Sequence, residues 1–325
     1  MLLSFTAAGV CAIECKATQI AGSALLFTGA EWSTIPDRPS LRATTALTIE
    51  MWIRPDIFGN LTRVLQKGDG QEVTSDRAYE MEVSPPLHPD AFAVHCFSGS
   101  PTGWTTTTAN AVSGLGEWTH LAATYDSVGG RVRMYLNGVL RVEGVNTTGG
   151  VPIHEPIRAS TYPIYLGCFN GTLLFFRGAL DEVRIWTLAR TPTEIGAHFD
   201  RAIDPQSAGL VGYWKFDEAL GTQAIVDATL FHNDGYLGSA SQNTNADPLR
   251  FKSGVPLRPA CDGELTGDFA VDDADFVQFL SAYVVLLCDD LGMPLDCPAD
   301  LNRDGVVDDA DFVIFGQSYD DLVCP

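Results

Sequence analysis

The sequence predicts a mainly β chain: an antiparallel β-sandwich over most of its length, followed by a small, acidic, all-α module. Three observations carry this. Short apolar–polar alternations recur between residues 21 and 237, with turn signals every 8–15 residues and almost no long helical period. Acidic residues crowd the end: residues 261–325 hold 16 Asp and Glu against one basic residue, Arg303, in a chain of net charge −21. That same segment repeats itself with a shift of 36 residues, Asp272-Asp273-Ala274-Asp275-Phe276-Val277 matching Asp308-Asp309-Ala310-Asp311-Phe312-Val313.

A length of 325 residues allows two or three domains, and 46% hydrophobic with 19% charged residues is the composition of a folded chain. The charge excludes a nucleic-acid binder, which needs a basic face to neutralise phosphates, and makes an anionic membrane surface an equally poor partner. No run of about 20 apolar residues is present to span a bilayer. The stretch Met1 to Ile13 is apolar but short, with no Lys or Arg ahead of it, so residues 1–20 read as the remnant of a secretory signal peptide. Eight cysteines agree with an oxidising, extracellular compartment.

Along the body, Leu47, Ile49, Met51 and Ile53 alternate with Thr48, Glu50 and Trp52, which puts the four aliphatic side chains on one strand face. Residues 118–125 form a second strand. In residues 132–142, Asn137-Gly138 joins two strand runs, and both turn residues tolerate positive φ, which specifies a tight hairpin. Residues 164–167 and 180–186 are further strands, and Thr193–Phe199 is a short helix after Thr191-Pro192.

Taken in order, Ala24-Leu25-Leu26-Phe27-Thr28-Gly29, Thr48-Ile49-Glu50-Met51-Trp52-Ile53-Arg54-Pro55, Glu117-Trp118-Thr119-His120-Leu121-Ala122-Ala123-Thr124-Tyr125-Asp126, Tyr135-Leu136-Asn137-Gly138 and Gly178-Ala179-Leu180-Asp181-Glu182-Val183-Arg184-Ile185-Trp186 resemble the laminin-G-like family, jelly rolls related to concanavalin A lectins, glucanases and pentraxins. The resemblance covers residues 21–200 and implies an antiparallel jelly-roll sandwich. It leaves the activity open, because this fold hosts many. The stretch Leu210–Glu218, continuing to Val226-Asp227 and Asn233-Asp234-Gly235, resembles the segment that usually introduces such a domain. Here it follows the domain and is read as added strands of the same sandwich, with the remnant of a lost second copy as the alternative, giving a jelly roll over 21–245 and a Pro-rich linker over 246–260.

Glycoside hydrolases need two carboxylates flanking the cleaved bond. The nearest arrangement is Glu80 and Glu82 on one strand face, read as a solvated face. Neither a Gly-x-Ser-x-Gly, a phosphate loop nor a His-Glu-x-x-His occurs, and His95, His120 and His154 stand near no nucleophile motif. The body is therefore expected to be a non-catalytic binding module for a carbohydrate or protein surface. An atypical glycoside hydrolase with a tethering tail, or a purely structural cell-surface component, is the alternative. Trp32 and Trp104 lie outside the strand motifs in turn-rich surroundings and are the candidate ligand-stacking residues. The resemblance also implies Asp181 as a calcium ligand, with backbone oxygens near Phe27-Thr28-Gly29.

The acidic tail carries the strongest chemical signal. Asp300, Asn302, Asp304, Asp308 and Asp311 stand at positions 1, 3, 5, 9 and 12 of an EF-hand calcium loop, with the Val306 carbonyl at 7 and Gly305 at the sharp turn. The first copy is degraded: Glu264, Thr266, Asp268, Ala270, Asp272 and Asp275 take the ligand positions, and Phe269, which resists positive φ, replaces the glycine. Proline-containing segments precede both loops, so each unit is a loop followed by a helix. That duplication, with Asp at position 12, resembles a type I dockerin over residues 262–323. The resemblance implies a cohesin-like or cell-surface partner, met at positions 10 and 11: Asp273, Ala274, Asp309 and Ala310. Two helices of such a pair run antiparallel. A helix of roughly 12 residues is about 18 Å long, too far for Cys261 to reach Cys288. The cysteines are therefore expected to pair across copies, Cys261 with Cys324 and Cys288 with Cys297. The whole sequence thus reads as a secreted, calcium-dependent tether carrying a jelly-roll binding module.

Overall fold

The computed structural model describes residues 22–321 except 57–61, 69–76, 84–89, 96–103, 110–114, 146, 149–150, 153, 155, 240–243, 289, 291–292, 294–296 and 303. The chain divides into two compact units, Ala21–Val255 and the segment Pro256–Pro325.

The first unit opens with β1 (Ser23–Thr28), β2 (Ser33–Ile35), β3 (Ala46–Pro55), β4 (Thr62–Gly68), β5 (Arg77–Val83), β6 (Asp90–His95) and β7 (Trp104–Ala109). It continues with β8 (Thr119–Asp126), β9 (Arg131–Leu136), β10 (Val139–Val145), β11 (Thr147–Thr148), β12 (Val151–Pro152), β13 (Ile164–Leu166) and β14 (Arg177–Trp186). Helix α1 (Pro192–His198), β15 (Leu210–Trp214), β16 (Ala224–Ile225), β17 (Gly235–Leu237) and β18 (Leu249–Lys252) complete it.

These strands form two eight-stranded antiparallel sheets, apart from the small β11–β12 pair. The first runs β10-β9-β8-β3-β14-β1-β18, with β15 also paired to β14; the second runs β16-β17-β2-β13-β4-β5-β6-β7. The core lies between them. Leu47, Ile49, Met51 and Ile53 from β3, with Leu121, Ala123 and Tyr125 from β8, meet Leu65, Tyr79, Met81, Ile164 and Leu166 of the second sheet. The hairpin turn between β9 and β10 has Asn137 at φ 47 and Gly138 at φ 74, as its two residue types permit. Helix α1 starts with a reciprocal cap between Thr191 and Glu194, which satisfies two of its otherwise unpaired N–H groups.

Strand β14 changes partner midway. Its register against β3 shifts between Asp181 and Arg184, and Glu182 sits at φ 51. This bulge bends the strand. The half before it pairs with β1, and the half after it pairs with β15. The stretch after residue 200 is therefore part of the sandwich: β15 extends the first sheet, and β17 joins the second sheet beside β2. Asp227 secures it by accepting the Tyr213 N–H at 2.9 Å and the Asn233 N–H at 2.8 Å.

The linker expected over 246–260 starts too early. Leu249–Lys252 is a strand, β18, paired with β1. Arg250 holds it, donating to the Phe216 and Ala224 carbonyls and to Glu218 at 2.8 Å. The prolines at 256 and 259 have the composition of a linker, and the alternation before them is only four residues long, too short to mark a strand without its partner.

The second unit contains α2 (Asp273–Tyr283) and α3 (Asp309–Asp321), each preceded by one of the acidic loops. The helices pack through aromatic rings. Phe279 lies 5.0 Å from Phe315 and 5.9 Å from Phe312 between ring centroids, and Phe276 lies 5.9 Å from Phe315. The 36-residue repeat appears in space as a reciprocal pair of bonds. The Tyr283 hydroxyl donates to Asp309 at 2.5 Å, and the Tyr319 hydroxyl donates to Asp273 at 2.5 Å.

Candidate functional site

In the first unit the arrangement suited to a ligand is the outer face of the second sheet. Ile164 and Leu166 of β13 point into the core, so Tyr165 between them faces outward. Tyr236 on β17 is placed in the same way. Both stand directly opposite Thr34 of β2 in the register. The two tyrosines are thus two strand spacings apart, about 10 Å. Tyr236 and Tyr162 lie close enough to help raise the Tyr165 phenol pKa, after burial and Cys168. Trp32, just before β2, leans on Phe175 at 6.2 Å between centroids, and Gly171 leaves room beside its indole. Trp32, Tyr165 and Tyr236 are each partly exposed. The result is a partly exposed group of aromatic side chains on this face.

Trp104 does not belong to it. It opens β7 rather than lying in a loop, and it is paired with His95 at the far end of the sheet. Five strand spacings, about 24 Å, separate β2 from β7.

Glu80 and Glu82 are not a solvated face, as the sequence suggested. Glu80 is 3% exposed and lies 3.3 Å from Arg63, and Glu82 is also paired with Arg63. The Arg63 and Arg77 guanidinium groups cover the Phe169 ring at 5.5 and 5.9 Å. Both carboxylates are tied into ion pairs under the loop that carries Phe169. No sequence signal marked this, because the arginines arrive from a neighbouring strand and from the strand's own start.

A second polar layer lies on the outer face of the first sheet. Glu50 pairs with Arg190 at 2.5 Å and approaches His120 at 3.5 Å. Burial raises the Glu50 carboxyl, but Arg190, His120 and Arg184 outweigh it and hold its pKa at about 2. Burial lowers the His120 pKa, and its ring is packed edge-on against Trp52 and Phe199. His120 is 1% exposed, which makes it part of the packing rather than a group open to substrate.

Asp181 is fully buried on the same sheet. Its carboxylate accepts the Ser253 hydroxyl at 2.5 Å and the Glu182 N–H at 2.8 Å. Burial, then Glu182 and Asp217, push its pKa well above the ordinary carboxylate value. The backbone expected to share a cation with it is elsewhere. Thr28 pairs with Arg177 and Leu25 with Leu180, which puts Asp181 four residues, or roughly 13 Å, along the strand from the position opposite Thr28. The N–H groups of Thr28, Gly29 and Ala30 instead converge on the Glu31 carboxylate at 2.6, 3.0 and 3.1 Å.

In the second unit the two loops fold alike. In the later loop, Asp300 accepts the Asp304 and Gly305 N–H groups at 3.1 and 2.8 Å. Asp311 closes the loop by accepting from the Asn302 and Asp308 N–H groups at 2.9 and 3.0 Å. In the earlier loop Glu264 takes the place of Asp300 and accepts the Asp268 N–H at 3.0 Å, and Asp275 accepts from Leu265, Thr266 and Asp272 at 2.7, 2.8 and 2.9 Å. Phe269 adopts φ 68 where Gly305 has φ 90, so the aromatic residue enters the turn it was expected to resist. That strain costs on the order of 1 kcal/mol or more.

The donor set fits a hard cation. Four carboxylates, an amide and a backbone carbonyl approach the six to eight oxygens calcium takes. The positions expected to face a partner are divided: Ala274 and Ala310 are exposed, whereas Asp273 and Asp309 carry the reciprocal tyrosine bonds. Cys288 and Cys297 form a disulfide with Cα atoms 5.2 Å apart. Cys261 is also disulfide-bonded, and Cys324 lies outside the described residues.

A two-sheet antiparallel sandwich with this strand order defines a lectin-like jelly roll. The model of one family, laminin G-type domains of the concanavalin A-like lectin/glucanases superfamily, matches residues 27–196, just over half of the chain, and the chain belongs to that family. In fold it is similar to a Bacteroides ovatus protein regarded as carbohydrate-binding, with TM-score 0.52 and 19% identity over 70% of this chain and 61% of that one. It is also similar to domain 4 of an extracellular arabinanase from Geobacillus stearothermophilus, solved with arabinotriose, with TM-score 0.41 and 23% identity over 54% of this chain and 75% of that one. Among curated proteins, mouse pappalysin-1 is 37% identical over 82 residues, which is 25% of this chain and 5% of pappalysin-1. No helix among the described residues is long and apolar enough to cross a membrane.

Proposed function

We propose that this is a secreted, non-catalytic carbohydrate-binding protein whose jelly roll holds a sugar chain against the outer face of its second sheet. The observation that carries the reading is the partly exposed set Trp32, Tyr165 and Tyr236 around Thr34. Aromatic rings bury the C–H face of a pyranose, and phenol hydroxyls meet its hydroxyl groups, which is the mixture of flat apolar area and few directed bonds that a small-ligand site needs. The Bacteroides ovatus protein shares the fold, and the reading agrees with its description.

The C-terminal unit is, on the same reading, a dockerin-like module. It takes up calcium in the Asp300–Asp311 loop and, more weakly, in the Glu264–Asp275 loop, and so tethers the jelly roll to a cohesin-like or cell-surface partner. Asp300, Asn302, Asp304, Asp308 and Asp311 with the Val306 carbonyl would hold the ion, which stiffens the loop by neutralising its carboxylates.

A glycan array and retention on insoluble polysaccharides test the jelly-roll reading. The wild-type chain is expected to bind at least one glycan. Tyr165→Ala and Tyr236→Ala are each expected to weaken that binding by about 1 kcal/mol or more, without change in the thermal midpoint. Release of reducing sugar ends by the purified chain, or full binding by the double variant, would contradict the proposal.

A further inference from the structure

The later acidic loop is not built by its own repeat alone. The end of the first repeat, Leu286 to Cys288, lies along it. Val307 donates its N–H to the Leu286 carbonyl at 2.7 Å, and Cys288 donates its N–H to the Gly305 carbonyl at 3.2 Å. Leu287 and Val306 form the bridge between these two bonds. The strap's Cys288 end is then tied to the start of the loop. Cys288 is disulfide-bonded to Cys297, and the Asp300 N–H donates to the Cys297 carbonyl at 3.1 Å. The Cys288 sulfur also reaches Asp300 Oδ2 at 3.4 Å. Position 1 of the loop is therefore fixed by the disulfide, and position 7, whose carbonyl belongs to Val306, is flanked by the strap's two hydrogen bonds.

We infer that Leu286–Cys288 and its disulfide are positioning residues for the calcium site of the second repeat. They preset the Asp300 carboxylate and the Val306 carbonyl before the ion arrives. This rests on the calcium reading above and adds to it that the first repeat completes the second repeat's site. A loop that is already shaped loses less conformational freedom on binding, so its affinity is higher. Supports of this kind around metal ligands typically account for 10–100-fold in affinity.

The test is a calcium titration of the full chain by calorimetry, with the Gly305 amide followed by NMR, for wild type and for the Cys288→Ser/Cys297→Ser double variant. Far-UV circular dichroism at saturating calcium reports whether α2 and α3 are formed. The expected result is a loss of at least 10-fold in affinity at the site that shifts Gly305, with the helical signal of the variant restored at saturation. Unchanged affinity overturns the inference. So does a variant whose helices stay unformed at saturating calcium, because the disulfide would then be a folding element and not a positioning one. A wild-type chain that takes up no calcium overturns the underlying calcium reading instead.

Discussion

Glu50 is where burial and charge compete most openly. Its carboxylate is fully buried against Arg190 and beside His120, and its pKa is held near 2 from an ordinary 4.5. A depressed carboxylate stabilises the fold above its unfolded pKa and loses that contribution as pH falls through the folded value. His120 adds to the trend. Its folded pKa lies below 6.5, so the unfolded imidazole takes up a proton first as the solution is acidified. The thermal midpoint of the jelly roll is therefore expected to fall as pH drops from 6.5 towards 2. Glu50→Gln leaves the buried Arg190 guanidinium without its counter-charge and should cost about 3–5 kcal/mol at neutral pH. It should also flatten the slope below pH 4.5; a variant whose slope matches wild type would show that Glu50 is not the group responsible. Asp181 has the opposite sign. Its folded pKa is raised, so its contribution to stability is present at low pH and is lost as pH rises through the folded value. In the presence of chelator at neutral pH, Asp181→Asn is expected to raise the midpoint of the jelly roll. A lowered midpoint would count against that account.

The elements of the acidic module show how local spacing becomes a site. Each loop turns its backbone N–H groups onto its own first and last carboxylates, and each helix begins where the closing Asp275 or Asp311 is bonded. The aromatic faces of α2 and α3 then meet. Removing charge from the later loop should be visible directly: Asp300→Ala with Asp304→Ala is expected to abolish the tighter calcium uptake measured by calorimetry. Equal uptake by that double variant would mean that the loop does not hold the ion. Phe279 is fully buried between the helices. Phe279→Ala should cost about 3–5 kcal/mol, and the helical signal of the module should then require more calcium to appear. The same element scale explains β14. One bulge at Glu182 lets one edge of β14 serve two partners, which is how a segment resembling the opening of such a domain finds a place at its end.

At the scale of the whole molecule, two compact units divide the physics. The jelly roll has an extensive apolar core between two sheets, whereas the C-terminal unit has a small one and many like charges. A module of that size gains little from burial alone, so disulfides, and on the calcium reading proposed above a bound cation, have a larger share in its stability. All six tryptophans lie at or before Trp214, so tryptophan fluorescence follows the jelly roll alone. Far-UV circular dichroism should therefore show calcium removal melting helical signal while the tryptophan emission stays native. A tryptophan change matching the helical loss would show that the units do not unfold separately.

Much of this architecture was legible in the residues because it is periodic or closely spaced. The β3 alternation of Leu47, Ile49, Met51 and Ile53 determined which face is core, since a strand places every second side chain on one side. Asn137-Gly138 determined a hairpin. The acidic spacing from Asp300 to Asp311 determined a loop closed on itself, because its donors and acceptors are all within 12 positions. Only the tertiary structure decided the rest, and each case involves groups brought together across the chain. Thr34, Tyr165 and Tyr236 become neighbours through strand pairing over roughly 200 residues. Arg63 from an adjacent strand, with Arg77, pairs with Glu80 and Glu82, turning an expected solvated face into a largely buried ion-pair cluster. Leu249–Lys252 becomes a strand because β1 offers it an edge and Arg250 an anchor. Local pattern sets which way a side chain points, but the register of distant strands sets what it meets, and that register is chosen by the packing of the whole core.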